Sequence, residues 1–193
     1  MKNTLKKGKL LISDPHLLQD VDFSRSVILL TEHSHENSIG FIMNKLAPYL
    51  LSELIPEVEI PFFVFSGGPV DVQNVYFLHN RPDLIPDSTE IADGIYWGGD
   101  FNIVIDLIND SQLYYNHIRF FLGYSGWSPG QLEDEISENS WIVINNASKS
   151  KIFARSFQKL WKSELIKLSK NKPPHEREKF VIWSNAPENP QDN

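Results

Sequence analysis

Apolar residues in this chain come in short runs separated by polar or glycine-containing breaks, and long periodic stretches are few. The clearest run is Val27-Ile28-Leu29-Leu30 within residues 23–32. Unbroken apolar character of that length predicts a strand covered on both faces. Residues 8–13 and 38–44 read as strands flanking it in sequence. The first is closed at Asp14-Pro15, because the residue before a proline is pushed out of helical geometry. The polar stretch 33–37 then serves as a hairpin connection of ordinary length. Further strands are expected over 61–66, 75–79, 91–99, 118–122 and 141–145, with a break at 45–48. Residues 16–22 and 80–87 read as loops.

Helical spacing occurs in fewer places. Residues 49–55 suit a short helix stopped before Pro56. Asp100 is positioned to cap a helix over 101–108 with Phe101, Val104, Leu107 and Ile108 on one face, though the Ile and Val content there also suits a strand. From Ser148 or Ser150 to about residue 168, Phe153, Phe157, Leu160, Trp161, Leu165 and Leu168 follow one helical face. Residues 171–178 resemble a linker, 179–183 an edge strand, and 184–193 a disordered tail. Short strands and scattered helices without βαβ alternation give an α+β class, in a single domain over residues 1–183.

The densest stretch is GYSGWSPGQLEDEISENSW, residues 123–141. Ser128 as N-cap, Pro129 at the first helical position and Gln131 three residues after Ser128 predict a capped helix. Glu133 and Asp134 suit its first turn. The stretch glances at the G-x-S-x-G nucleophile elbow, but Trp127 stands where the last glycine must be, so Ser125 reads as a turn serine. Capping leaves Tyr124, Trp127, Gln131 and Glu135 unexplained. They are candidates for a ligand- or partner-facing group, with Trp127 as a core anchor being the competing reading.

Charge adds a second feature. Residues 1–147 carry 8 Lys/Arg against 20 Asp/Glu, whereas residues 148–179 carry 10 against 3. An acidic body argues against broad nucleic-acid binding. Lys151, Arg155, Lys159 and Lys162 form a basic stripe on the helix expected over 148–170, either a solvated face or a local nucleic-acid contact. The chain has no cysteine, which excludes disulfides and thiolate chemistry. With no apolar run long enough to span a membrane and no signal-like h-region, a cytoplasmic, membrane-free protein is expected. His33 and His35 form an H-x-H pair that needs a third ligand from Asp14, His16 or His79. No metal or cofactor is assigned. Gly67-Gly68-Pro69 is first a turn and second a candidate anion nest.

Taken together, these motifs resemble the AlgH/YqgE family of bacterial proteins, often labelled transcriptional regulators. The carriers are Gly8-Lys9-Leu10-Leu11-Ile12 with Pro15, Phe23-Ser24-Arg25-Ser26-Val27, Glu32-His33 and Gly40-Phe41-Ile42-Met43-Asn44. Gly67-Gly68-Pro69-Val70, His79 and Gly123-Tyr124-Ser125-Gly126-Trp127 follow, then Gln131-Leu132-Glu133, Glu135 and Trp141. Asn44-Lys45 and Tyr96-Trp97-Gly98-Gly99 resemble a Bacteroidetes-type branch. The resemblance implies a compact α+β domain with a strongly curved, barrel-like mixed sheet flanked by helices, and no established reaction.

The leading expectation is a non-enzymatic binding or regulatory protein with an unidentified protein or small-molecule partner. Its surface would combine Arg25, His33, Asn44, Gly67, Gly68, Tyr124, Trp127, Gln131 and Glu135, polar groups and glycines presented at strand ends. The alternative is a small-molecule or nucleotide-binding enzyme using Arg25, the Gly-Gly turn and His33. Nucleic-acid binding through the basic stripe is the third.

Overall fold

The computed structural model describes residues 5–145 and 147–185. An antiparallel meander of β1 (Leu10–Ser13), β2 (Val27–His33) and β3 (Ser38–Ile42) opens the fold. Its partners on either side come from much later in the chain. β10 (Trp141–Ile144) pairs with β1, and β9 (Ile118–Trp127) pairs with β3. Beyond β9 the sheet continues through β6 (Val70–His79), β8 (Ile95–Trp97) and β7 (Thr89–Ala92). β4 (Leu46–Leu50) pairs with β5 (Phe63–Ser66), and β5 lies parallel to β9. The whole is one curled, half-barrel, largely antiparallel sheet flanked by helices, an α+β architecture in a single compact domain.

β9 is the hub. Its first half is held between β5 (Val64 opposite Phe120) and β6 (Phe77 opposite Phe120), and its last residues pair with β3 (Ser38 opposite Trp127). Gly123 sits where the partners change, at φ 68°. A Cβ there would stand 2.7 Å from both Gly68 O and Val70 O, so the crossing needs glycine. Successive strand residues point to opposite faces, and here both faces are covered. Phe121, Leu29 and Leu10 join one apolar cluster with Trp161, Leu165 and Phe180. Phe120, Val64 and Phe77 join another with Val104 and Ile108 of α2 (Phe101–Asn109). Leu11, Ile28 and Ile42 join a third with Trp127, Leu132 and Trp141. That two-sided cover is why residues 27–30 read as continuously apolar.

α2 forms with the expected cap, Asp100 Oδ1 accepting from the Asn102 and Ile103 N–H groups at 2.9 and 3.3 Å. α1 (Leu51–Leu54) is also present. Elsewhere the structure departs from the sequence reading. Residues 46–48 of the expected break at 45–48 lie in β4, recruited by β5. Residues 91–97 of the strand expected over 91–99 belong to the β7–β8 hairpin, which turns at Gly94 with φ 66°. α3 (Gln131–Ser137) starts later than the capping box predicts, with Gly130 at φ 77° in the cap position. Half of the box survives, the Ser128 N–H donating to Gln131 Oε1 at 3.0 Å.

The largest correction concerns the C-terminal third. Residues 148–170 are not one helix but α4 (Lys149–Ile152), an irregular turn, a 3₁₀ turn Phe157–Lys159 and α5 (Leu160–Ser169). In the interruption the Ala154 carbonyl accepts from Arg119 Nη2 at 2.8 Å. The linker and edge strand read over 171–183 are replaced by α6 (Pro174–Asn185). It packs against α5 and buries Phe180 and Ser184, four residues apart on one helical face. Ser184 and Asn185 therefore belong to a helix, and the rest of the expected tail lies outside the described residues.

Candidate functional site

The nine residues expected to share one surface fall into three separate places. The first is a carboxylate node. Glu135 Oε2 accepts from Trp127 Nε1 at 2.9 Å and from Trp141 Nε1 at 2.7 Å, while its Oε1 accepts from Gln131 Nε2 at 2.9 Å. The two indoles meet edge to face at 6.0 Å, and Phe23 stacks on Trp127 at 6.4 Å. Trp127 and Trp141 are 4% and 3% exposed, which places Trp127 inside the core. His33, at the end of β2, meets the same helix at Glu133 rather than at Glu135. Its Nδ1 lies 2.8 Å from Ser38 Oγ and its Nε2 lies 3.7 Å from Glu133 Oε1.

The second place is the glycine crossing. Gly67 N donates to Leu122 O at 2.9 Å, and Gly67 O accepts from the Ile42 N–H at 2.9 Å and from Ser125 Oγ at 3.1 Å. Gly67 and Gly68 thus press against the backbone of β9, with the Gly67 amide committed to Leu122. Ser125, fully buried, is a strut across that crossing. Tyr124 packs its ring edge to face on Tyr76 at 5.8 Å.

The third place gathers residues that the sequence treated separately. A cleft of about 650 Å³ is lined by Arg25, Asn44 and Lys45 on one side and by Lys159, Trp161 and Lys162 on the other. Asn44 builds its wall, Oδ1 accepting from the Val27 N–H and Nδ2 donating to Arg25 O, both at 2.8 Å. These bonds hold Arg25 at φ 52°, a backbone conformation rare for a side chain of that size. Trp161 is pinned by donating to Ser13 O at 2.9 Å, and the Arg25 guanidinium carbon lies 5.9 Å from the centre of its ring. Lys45 donates to Asp22 O at 2.6 Å. Burial pushes its ammonium pKa down, and the nearby Asp20 and Asp22 carboxylates partly offset that.

Arg25 lies in the turn before β2 and His33 ends it, so the strand Val27–His33, roughly 20 Å long at ~3.3 Å per residue, stands between them. The nine residues expected to share one surface therefore do not. The basic stripe also parts. Lys151 is turned inward, 3.2 Å from the buried Glu164 carboxylate, which Lys167 also meets at 2.8 Å. Arg155 lies over the Tyr115 ring at 4.3 Å. Lys159 and Lys162 remain, on the cleft.

A family model described as AlgH-like (DUF179) matches residues 10–172. The chain belongs to the AlgH-like family. A UPF0301 protein of Chlorobium phaeobacteroides is 40% identical over 189 residues, covering 96% of this chain and 95% of that protein. One from Bacteroides fragilis is 38% identical over 188 residues, covering 95% and 89%. Among solved structures, a Corynebacterium diphtheriae protein aligns with a TM-score of 0.72 at 25% identity, covering 95% of this chain and 94% of that one. The solution structure of the AlgH protein of Pseudomonas aeruginosa aligns with a TM-score of 0.64 at 23% identity, covering 80% and 85%, and shares the fold. No described helix of this AlgH-like chain is long and apolar enough to cross a membrane.

His79, one of three residues weighed in this AlgH-like protein as a third metal ligand beside His33 and His35, is fully buried and committed elsewhere. Its Nδ1 accepts from the Arg81 N–H at 3.1 Å and its Nε2 lies 3.1 Å from Gly98 O, a pairing that defines a neutral ring with the proton on Nε2. Burial pushes its pKa from 6.5 to about 4, against smaller opposing pulls from the Gly98 carbonyl and Asp83. As pH falls, the unfolded chain takes the proton first. The stability held by neutral His79 is therefore whole above pH 6.5 and lost progressively down to pH 4, roughly 3 kcal/mol in all. Urea titrations across that range will show a slope shallower by about one proton in His79→Gln than in the native chain. Equal slopes would mean that His79 titrates normally.

Proposed function

We propose that this AlgH-like protein is a non-enzymatic binding protein whose cleft beside Arg25 holds an anionic group of a partner protein or small molecule. The carrying observation is that Arg25, Lys45, Lys159 and Lys162 line one cleft of a chain whose net charge is −7. A local patch opposite in sign to the rest of the surface attracts and orients anions. Asn44 and Trp161 hold the walls in place before any ligand arrives, which lowers the ordering cost of binding. The rival enzyme reading lacks this support, since Arg25, the Gly67-Gly68 crossing and His33 stand apart. A regulatory role, implied by the family resemblance, would act through a partner's acidic group seated here, and the proposal places the chain in the cytoplasm.

Calorimetric titration with inorganic tripolyphosphate and with a hexaglutamate peptide tests the reading. Lys159 and Lys162 are exposed, so Lys159→Glu combined with Lys162→Glu should leave folding within about 0.5 kcal/mol of native. Binding should weaken about tenfold or more and depend steeply on salt. A flat response to both probes, or affinity untouched by the double reversal, would reject the cleft as the site.

A further inference from the structure

A second concavity, of about 320 Å³, lies where β5, the start of β9 and the turn after α4 meet. Its lining is aromatic, with Phe62, Phe63, Phe65, Tyr115 and Phe157 contributing rings. Phe63 is 60% exposed and Tyr115 47%, so apolar rings form an open rim. Arg119 is set into this wall and only 4% exposed. Its Nη1 donates to Met43 O at 3.0 Å and its Nη2 to Ala154 O at 2.8 Å, while Nε is buried without a hydrogen-bond partner. The guanidinium carbon lies 4.4 Å from the centre of the Phe65 ring and 5.6 Å from that of Phe157.

Among the described residues no carboxylate pairs with Arg119, a contrast with Glu164, the buried acid that two lysines meet. Burial alone draws the Arg119 pKa down to about 10, so the group stays charged at neutral pH. A buried charge without a counter-charge is costly, and rings and carbonyls offset only part of that. Arg155 lines the same pocket, exposed, stacked over Tyr115, and also in no ion pair among the described residues.

We propose that this pocket binds a small aromatic carboxylate, whose ring enters among Phe62, Phe65 and Phe157 and whose carboxylate is held by Arg119 and Arg155. The volume falls at the lower end of the range for small-molecule sites, roughly 300–1,000 Å³. Guanidinium donors fit a planar carboxylate in paired hydrogen bonds. One buried cation calls for one negative charge, which a monoanion supplies. The site is separate from the basic cleft, and it stands or falls independently of it.

Titration calorimetry of the full chain with phenylacetate, 4-hydroxybenzoate and indole-3-acetate is the test, alongside indole-3-acetamide and phenyl phosphate. Saturable binding is expected for at least one carboxylate, about tenfold weaker for the neutral amide, the loss of a charge-assisted contact. Arg155→Ala and Phe63→Ala alter exposed residues and should each weaken binding while the chain stays folded. Lys159→Glu with Lys162→Glu should leave it unchanged. Arg119→Met should abolish it, and if that variant does not fold, Arg155→Ala decides. No saturation by any carboxylate, equal affinity for the amide, tighter binding of the phosphate, or indifference to Arg155→Ala would each overturn the proposal.

Discussion

Gly67→Ala is expected to yield a chain that does not reach the native sheet. A Cβ at Gly67 would lie 2.1 Å from Gly123 O and 3.0 Å from a Phe41 ring carbon. The first is a backbone atom of the central strand and has no rotamer to escape through. Relief means parting β5 from β9, which breaks the Gly67 N–H bond to Leu122 O and disturbs the Ile42 and Ser125 bonds to Gly67 O. The loss should exceed about 4 kcal/mol, a large share of the roughly 5–15 kcal/mol that holds a domain together. Gly130→Ala separates the two ways a glycine can be required. Gly130 sits at φ 77° with nothing within 4 Å of where a methyl group would stand, so only backbone strain of about 1–2 kcal/mol applies. Soluble yield, circular dichroism and urea midpoints for the pair check this. A Gly67→Ala chain with native cooperativity and midpoint would refute the close-approach account.

Glu135→Ala should produce the second largest loss. The carboxylate accepts from two buried indole N–H groups and from the Gln131 amide. Truncation leaves both indoles unpaired in a pocket closed by Phe23, and a buried orphan donor costs about 1–3 kcal/mol. Together the loss is about 3–5 kcal/mol, or roughly 8–16 °C in Tm for a chain of this size. Glu135→Gln keeps an oxygen for the indoles but turns an amide NH₂ toward that of Gln131, so about a third of that loss is expected. Thermal melts with near-ultraviolet circular dichroism, which reports tryptophan packing, will order the three proteins. Equal stability of Glu135→Ala and native protein would leave the node without structural weight.

These two sites also mark what could be read in the sequence. The strands at residues 10–13, 27–33 and 38–42 were legible because both faces are buried, and Asp100 was legible because capping is local. Capping explains most of the stretch after Gly123 from sequence alone, but leaves Tyr124, Trp127, Gln131 and Glu135 as ligand- or partner-facing candidates. The hydrogen bonds of the last three join a strand end to a helix and a later strand, which local spacing does not encode. The pairing of Arg25 and Asn44 with Lys159 and Lys162 was equally hidden. It depends on Trp161 reaching Ser13 across 148 residues of chain. Lys45 carries no sequence signal of its own because it opens the expected break at 45–48. Arg119 carries one local signal that the sequence reading does not take up, a lone charge inside the apolar run IRFFL. The C-terminal helix α6 is hidden in the sequence because Phe180, Val181, Ile182 and Trp183 look strand-like by composition, whereas packing against α5 decides their geometry.

The late position of β9 and β10 shapes how the chain is made. While a ribosome is still synthesising the middle of the protein, the β1–β3 meander has emerged with both outer edges lacking the strands that cover them. Open edges of that kind recruit strands from other molecules. Pairings between such distant segments also form slowly once the chain is complete. The nascent chain thus passes through an interval in which its most apolar segments are extended, uncovered and waiting for the last strands to arrive.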